Sequence, residues 1–585
     1  MAGGSGLLSA RCALWTRSLL ASLRGLRVVA ARLASRIPET AGSVSLRGGA
    51  RSEESRSLLV SAAALRSVAF PTVRGSRVRW VVVGGAVLLA LLLPVRLAPA
   101  QDAANGETIY RAWCLECHGV EGRGDGPAAA RMLPRPRDFV GARYQIRTSG
   151  SGELPTDDDL MRVMRDGLPG TAMPGWPNLS DQEKRDVVAF VKSFSPFFER
   201  ETPEVLQRSA DSGAGADGAG PGREAYGTLE CARCHGEHGR GDGRSAPTLE
   251  DWRGFPIRAA DLSEPWLFNG GMGADAIHTR FLTGMDGTPM PSNQDALEAG
   301  VVTEEGLWNL AHYVAGLGPA KTPELEEVVR VERREQLPDG PADAAWDDLP
   351  SFYFPLVGQI VEAPRQFAPT VDGVWVQGVH DGTELALRVE WHDPSNSPDP
   401  GWQEWQDKIA AVLYSDGSPI PAEPLPDLLA VQFPMTSPDG RARPYFLMGE
   451  GRNPVYLWLW HSRRGAVEGR ATGLGTTEVV DSGAGLTASS EWEAGRWRVV
   501  FRRPLAAADG GVLSFSEGTP IPIAFFAWDG SSGETGTRGS ISAWYFVGLQ
   551  PPPSNAVFMA PLVAFLVTGG LGVFAVRRAQ KSYRG

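Results

Sequence analysis

The sequence predicts a multidomain protein: two all-α modules in tandem, then an all-β sandwich domain, then a C-terminal transmembrane helix. Three observations predict it. The pattern Cys-x-x-Cys-His occurs twice at an offset of 117 residues, as Cys114-Leu-Glu-Cys117-His118 and Cys231-Ala-Arg-Cys234-His235. After about residue 345 the texture changes from helical periodicity to short alternating stretches separated by Gly, Pro and Asp. Near the end, Ala556–Val576 is a run of 21 residues without a charge. At 585 residues the chain has room for three or four domains.

Cys-x-x-Cys-His is the attachment signature of c-type haem. Two thiols three positions apart lie on one helical turn and can bond both vinyl groups of one porphyrin. The adjacent histidine then supplies an imidazole to the iron. Past each histidine, 55 residues on, stands a methionine followed by proline: Met173 and Met290. Gly122-Arg-Gly-Asp-Gly126 recurs as Gly239-Arg-Gly-Asp-Gly243, and Gly167 recurs as Gly284, all at the offset of 117. One module has been duplicated. A thioether opposite an imidazole gives a six-coordinate iron with a raised reduction potential, which suits electron transfer. Cys114, Cys117, His118 and Met173 therefore form one expected site for a covalent haem c, and Cys231, Cys234, His235 and Met290 a second. Met161, Met164, Met272 and Met285 lack the paired context and read as packing residues. His238, His278 and His312 likewise read as surface or core histidines.

The helices of each module follow in order. The first leads into the cysteines, with Tyr110 and Trp113 as apolar cover. Asp157–Asp166 carries Leu160, Val163 and Met164 at helical spacing. The last, Leu179–Phe194, opens on a capping box of Ser180 and Glu183 and continues through Val187, Val188, Phe190 and Val191. Its counterpart begins at Thr303 and carries Leu307, Leu310, His312 and Tyr313. Both segments, about 105–197 and 223–318, resemble class I cytochrome c domains. Within domain limits of 101–200 and 223–318, a linker at 201–222 is expected to be a flexible tether, because Ser209–Gly222 is built of Ser, Ala, Asp, Gly and one Pro.

Targeting features agree with haem attachment, which takes place outside the cytoplasm. Arg74, Arg77 and Arg79 precede the apolar run Trp80–Leu93, and Ala98-Pro-Ala100 offers a cleavage site, so residues 79–100 read as a signal peptide. Residues 1–78, rich in Arg, Ser, Ala and Leu, read as a mis-called extension before the true start or as a transit-like segment. The first hundred residues hold 14 arginines against three glutamates, which leaves the remainder at −22 from a whole-chain charge of −11. Such acidity argues against nucleic acid and suits steering toward a basic redox partner, or serves solubility alone. The uncharged run at 556–576 is long enough to span a bilayer, and Arg577, Arg578, Lys581 and Arg584 follow it in the tail 577–585. By the positive-inside tendency that tail is cytoplasmic. The expected location is the cell inner membrane, with a single C-terminal span and the body facing the periplasm.

Between these parts, 319–344 reads as a charged linker with one short helix at Glu324–Glu335. Beyond it, strand candidates are Leu385–Trp391 after an Asp381-Gly382 turn, Leu428–Phe433, Val455–Trp460, Trp497–Phe501, Ile521–Trp528 and Ser540–Phe546. Short strands with frequent tryptophan indicate a sandwich. The segments Ala345-Trp346-Asp-Asp-Leu-Pro, Pro444-Tyr-Phe-Leu-Met448-Gly, Pro454-Val-Tyr-Leu-Trp-Leu-Trp460 and Ala527-Trp528-Asp-Gly-Ser-Ser-Gly-Glu534 resemble the haem-binding γ subunits of ethylbenzene and dimethylsulfide dehydrogenases over 345–550. The resemblance implies a β-sandwich holding one haem b between a methionine, at Met448 here, and a lysine. It also implies molybdopterin and iron–sulfur oxidoreductase subunits as partners. The chain departs from that pattern where the lysine belongs, because Arg538-Gly539 precedes Ser540. Arginine offers iron no lone pair. Lys408 lies in an unrelated segment, so His461 is the substitute ligand considered, with His380 and His392 behind it. A sandwich without haem, serving as a docking surface, stays equally open.

Together these features point to a membrane-anchored multihaem cytochrome of a respiratory chain. It would carry electrons to or from a molybdopterin oxidoreductase or another redox protein. Two alternatives stand beside it. One is a di-haem peroxidase-like enzyme, which needs an open iron position. The other is a ligand-binding module attached to cytochromes.

Overall fold

The computed structural model describes residues 101–584 except 212, 214–218, 368, 416, 437–442, 481–482, 508–510 and 553–554. All of them lie in the compact unit Ala98–Gly585. The expected signal peptide and the extension before it fall outside the described residues.

Each helical module closes where its first and last long helices cross. Ala103–Trp113 packs on Asp181–Ser193, and Ala219–Thr228 packs on Glu304–Ala315. The crossings are too tight for any side chain at the contact. A Cβ on Gly106 would lie 2.0 Å from the Asp186 carbonyl oxygen, and one on Gly222 would lie 2.4 Å from that of Asn309. Only glycine fits there. Ser180 and Glu183 form the expected capping box, and Thr156 with Asp159 forms another at the start of Asp157–Asp166. Thr303 caps Glu304–Ala315 through the Gly306 N–H. Tyr110 is buried as expected, but Trp113 is 61% exposed. It is the last residue of its helix and meets the Trp176 ring at 6.1 Å between centroids.

The linker after the first module is a correction. Leu206 N–H donates to Thr148 O, Arg208 pairs with Asp275, and Ser209 Oγ donates to Glu304 while accepting from the Trp308 indole. Asp211 pairs with His312 at 3.0 Å. Leu206 is thus bound to the first module and residues 208–211 to the second, and helix Ala219–Thr228 already occupies the end of the segment.

The two modules are clamped by Arg147, whose side chain is fully buried. Its guanidinium donates to the carbonyls of Tyr144, Gly150 and Thr283 and pairs with Asp286 at 2.8 Å. Each of its three nitrogens has an oxygen partner, the condition under which a buried charge is tolerated.

The remaining core is a sandwich of strands β1 (Val328–Arg333), β2 (Phe352–Pro355), β3 (Val357–Gly358), β4 (Gly373–His380), β5 (Glu384–His392), β6 (Leu428–Pro434), β7 (Val455–His461), β8 (Gly465–Ala471), β9 (Glu478–Val479), β10 (Thr487–Glu493), β11 (Arg496–Pro504), β12 (Ile521–Trp528), β13 (Ser540–Ile541) and β14 (Tyr545–Leu549). The hydrogen-bonded order is β10-β11-β5-β4-β1-β14-β12-β6-β7-β8-β9. One arm, β10 to β1, folds over the other, β12 to β9. The core between them holds Leu387, Val389 and Trp391 from one arm and Val431, Trp458 and Trp460 from the other. Trp460 meets Trp391 at 5.5 Å and Trp497 at 4.7 Å between ring centroids. β1 replaces the short helix expected at Glu324–Glu335, and with it the sandwich starts inside the expected linker 319–344. Val329 and Val331 point into the core in alternation, and β1 runs parallel to both β4 and β14. A β-branched alternating run favours that slot over a helix. Ser540–Phe546 likewise divides into β13 and the start of β14. Helix Gln403–Leu413 was not foreseen. At the C-terminus Asn555–Tyr583 is a single helix, of which Met559–Tyr583 contains an 18-residue window of mean hydropathy 2.1 and is long and apolar enough to cross a membrane.

Replacing Arg147 by Ala leaves Asp286 without its counter-charge and removes the donor to the Tyr144, Gly150 and Thr283 carbonyls. We expect a loss of about 3–5 kcal/mol in unfolding free energy, read from denaturant titration of the holoprotein. An unchanged midpoint would refute the clamp.

Candidate haem centres

The two Cys-x-x-Cys-His segments each form a single helical turn, Leu115–His118 and Ala232–His235, started by Cys114 and Cys231. In each, the histidine N–H donates back to the first cysteine's carbonyl at 2.9 Å. The imidazole is then aimed by one further bond. His118 Nδ1 lies 3.1 Å from the carbonyl oxygen of Arg137, and His235 Nδ1 lies 2.9 Å from that of Ala260. A carbonyl only accepts, so Nδ1 carries the proton and Nε2 keeps a free lone pair. That tautomer and orientation are what an axial iron ligand requires.

The duplicated Gly-Arg-Gly-Asp-Gly segment explains how that carbonyl gets so close. Gly124 and Gly241 adopt φ of 69° and 72°, and their N–H groups donate to the carbonyls of His118 and His235 at 2.9 Å. A Cβ on Gly124 would sit 2.3 Å from Pro136 O, and one on Gly241 would sit 2.6 Å from Ala259 O. The next residues in those segments are Arg137 and Ala260. The bare glycine lets the segment approach until its following carbonyl meets the imidazole.

Across each module, the methionine loops also repeat. Gly167 and Gly284 end the helices Asp157–Asp166 and Ala274–Thr283. Leu168 N–H donates to Met173 O at 3.0 Å, and Met285 N–H to Met290 O at 3.1 Å. The amides of Met173 and Met290 each donate to a threonine hydroxyl two residues back, at 3.2 Å. Met173 and Cys114 pack against one core cluster of the first module, and Met290 and Cys231 against that of the second. In the second module Cys231, Cys234, His235 and Met290 line one cavity.

Burial sets their protonation. It pushes the Cys114 and Cys231 thiols up to about 11, and the His118 imidazole down to about 4. His235 is lowered for the same reason. At neutral pH the imidazoles are uncharged ligands. The fit to covalent haem rests on these donors and on the space beside them. A cavity of about 790 Å³ opens against Cys231, Cys234, His235 and Met290, within the range of cofactor pockets.

That cavity has three walls. Pro134 and Gly170 of the first module close one side, while Asp372, His392 and Trp405 of the sandwich close another. His392 Nδ1 stands 2.7 Å from Asp261, and Arg258 pairs with Asp529 at 2.8 Å, which fastens the second module to the sandwich around its haem loop. In the first module His118 instead stacks on Phe139 at 4.5 Å.

Comparison with known proteins agrees with this geometry. Residues 101–191 match the model of cytochrome c oxidase, cbb3-type, subunit III, and 219–318 match that of cytochrome c. Cytochrome c55X of Paracoccus denitrificans is 33% identical over 18% of this chain and 90% of its own. The chain belongs to the c-type cytochromes. Its residues 343–481 match the ethylbenzene dehydrogenase model. This cytochrome is also 27% identical to a putative respiratory nitrate reductase heme subunit of Haloferax mediterranei, over 46% of this chain and 91% of that protein. A chain of the reducing HAO-like protein complex of Kuenenia stuttgartiensis is 38% identical, covering 38% of this chain and 99% of its own, with a TM-score of 0.34. The cytochrome thus joins two cytochrome c domains to an ethylbenzene dehydrogenase-type domain, and it is a multihaem electron-transfer protein.

In the third domain the residues do not fit a bis-axial haem b. Met448 is 2% exposed, held at φ +57° and packed among Leu447, Phe526, Trp528 and Ile541. Gly449 lies against Val455 at the start of β7. His461 ends that strand, six residues or roughly 20 Å away in extended backbone. The sequence pairing of Met448 with His461 is therefore corrected: both lie on β7's borders, but at opposite ends. Arg538, where the family lysine is expected, is buried with its guanidinium 4.2 Å over the Tyr414 ring and a bond to Ser418. His380 bonds to Gln550 O at 2.9 Å, His392 faces Asp261, and Lys408 pairs with Glu404 and Glu250. His278 is stacked on Trp308 at 3.9 Å, as a core histidine.

The residue sequence reasoning missed is Asp372, a cavity-wall carboxyl. Burial above all, and Asp261 nearby, push it up to about 6 against the opposing pull of His392. Because its folded value exceeds the unfolded one, the folded protein holds the proton up to about pH 6 and loses that stabilisation as pH rises through it. Ionisation puts a negative charge beside the second centre, which favours the oxidised, more positive state. We expect the midpoint potential of a haem at the second centre to fall as pH rises through about 6, and Asp372→Asn to flatten that fall in a spectroelectrochemical titration. A slope identical in the variant would refute the assignment.

Proposed function

We propose that the protein binds two haem c groups, one per module, and relays electrons between a molybdopterin oxidoreductase and other redox proteins outside the cytoplasmic membrane. The repeated axial geometry carries this reading: the same Nδ1-to-carbonyl bond and the same methionine loop occur in both modules. When bound, each haem supplies an iron that accepts and returns one electron. The chain's own residues orient the imidazole, bring a thioether from a distant loop and, in the second module, exclude water with a three-domain wall. The ethylbenzene dehydrogenase match and the nitrate reductase name of the haloarchaeal relative support an oxidoreductase partner. The peroxidase reading is disfavoured because both modules carry a methionine loop of one construction.

In this reading the sandwich holds no haem b and acts as a wall and dock for the second centre. Helix Asn555–Tyr583 anchors the body to the membrane, with Arg577, Arg578, Lys581 and Arg584 on the cytoplasmic side. A pyridine haemochrome assay of the purified chain should find two haem c and no haem b. Haem staining of a denaturing gel should fall by half in a Cys231→Ala, Cys234→Ala double variant. A full-length chain without covalent haem ends the proposal, and a b-type component restores the third carrier. Ending the chain after Gln550 should move the haem-stained protein from the membrane to the soluble fraction. Retention in the membrane would show that the helix is not the anchor.

A further inference from the structure

Three aspartates meet at the end of the sandwich that faces the second module. Asp393 follows β5, Asp427 precedes β6 and Asp529 follows β12; β6 and β12 are neighbours, and Leu428 pairs with Trp528. All three side chains are fully buried, and a carboxylate oxygen from each lies within 4.8 Å of the other two. That is about the greatest separation two oxygens on one calcium ion can have, given bonds of roughly 2.3–2.6 Å.

The protein's own donors leave one oxygen of this cluster without a partner. Asp427 accepts from the amides of Ser397 and Gly530 and from the Trp497 indole. Asp529 accepts from Ser531 and pairs with Arg258. Asp393 has one oxygen bonded to the Ser395 amide at 3.2 Å, while its Oδ2 is buried with no donor. A buried carboxylate oxygen without a partner is costly, more so beside two others. One guanidinium against three carboxylates leaves two negative charges. Ser395 and Ser397, both fully buried, add hydroxyl oxygens within the same turn. An all-oxygen donor set selects a hard cation over zinc or copper.

We propose that Asp393, Asp427 and Asp529 bind one divalent cation of the calcium class, with Asp393 Oδ2 as a direct ligand. The ion lies outside both haem centres and ties the two arms of the sandwich together. It also supports the dock of the second module. Asp529 holds Arg258, and two residues on, the Ala260 carbonyl orients His235.

The alternative is that the three acids share protons. Burial and mutual repulsion push Asp393 and Asp427 well above the ordinary carboxylate range, in keeping with a site lacking its counter-charge. Equilibrium dialysis of the holoprotein against radiolabelled calcium, after treatment with a chelator, separates the two. One tight equivalent is expected, with a thermal midpoint that falls on chelation and returns with calcium. Asp393→Asn should weaken binding at least tenfold, and Asp427→Asn should do the same. Absence of a tight equivalent in the wild type, with a midpoint indifferent to chelator, overturns the proposal. So does calcium binding of equal strength in both variants, which places the ion elsewhere.

Discussion

Much of the structure follows from the need to hold an imidazole by its far nitrogen. A histidine can offer Nε2 to iron only while Nδ1 keeps its proton, and here a backbone carbonyl keeps it there. A backbone acceptor cannot be protonated or swing away, so the ligand's tautomer is independent of pH in the working range. The cost appears elsewhere in the chain. The segment bearing that carbonyl must press on the loop that follows the histidine, and Gly124 and Gly241 are where it presses. The glycine-rich segment is therefore part of the ligand geometry rather than a flexible connector.

The two centres share that construction and differ in surroundings. The first is lined by its own module's aromatics, with Phe139 stacked on His118. The second borrows its walls from the first module and from the sandwich. Burial under three domains lowers the local dielectric, so a given charge acts more strongly on the second centre. Asp261, Asp372 and His392 are placed where that matters. Two copies of one module can in this way hold different potentials without any change of axial ligand, which a directional relay requires.

The cytochrome modules were legible because covalent attachment needs fixed spacing, and duplication repeats each signal. The helix-crossing glycines Gly106 and Gly222 were equally readable as a repeat, but at an offset of 116 rather than 117 they fell out of register with the other landmarks. The sandwich was legible as strands where polar and apolar residues alternate, as in β5, and hidden where both faces are covered, as in β4. β1 was misread because its charged flanks suit a helix, while its parallel neighbours are distant in sequence. The walls of the second cavity were not legible at all. Asp372, His392 and Trp405 reach it through tertiary docking, for which no local pattern exists.

The third domain shows how a fold outlasts a ligand set. Its strands and its buried methionine follow the family pattern, yet the position expected for a lysine carries Arg538, engaged with Tyr414 and Ser418. A guanidinium cannot coordinate iron, but it can fill and neutralise the space a ligand would leave. The same domain has turned its other resources toward the second module. Lys408 reaches Glu250, His392 meets Asp261, and Asp529 takes Arg258. Three charged contacts join residues 250–261 of the second module to the sandwich. In a relay, a rigid wall keeps reorganisation small, so the sandwich serves electron transfer through the centre it covers.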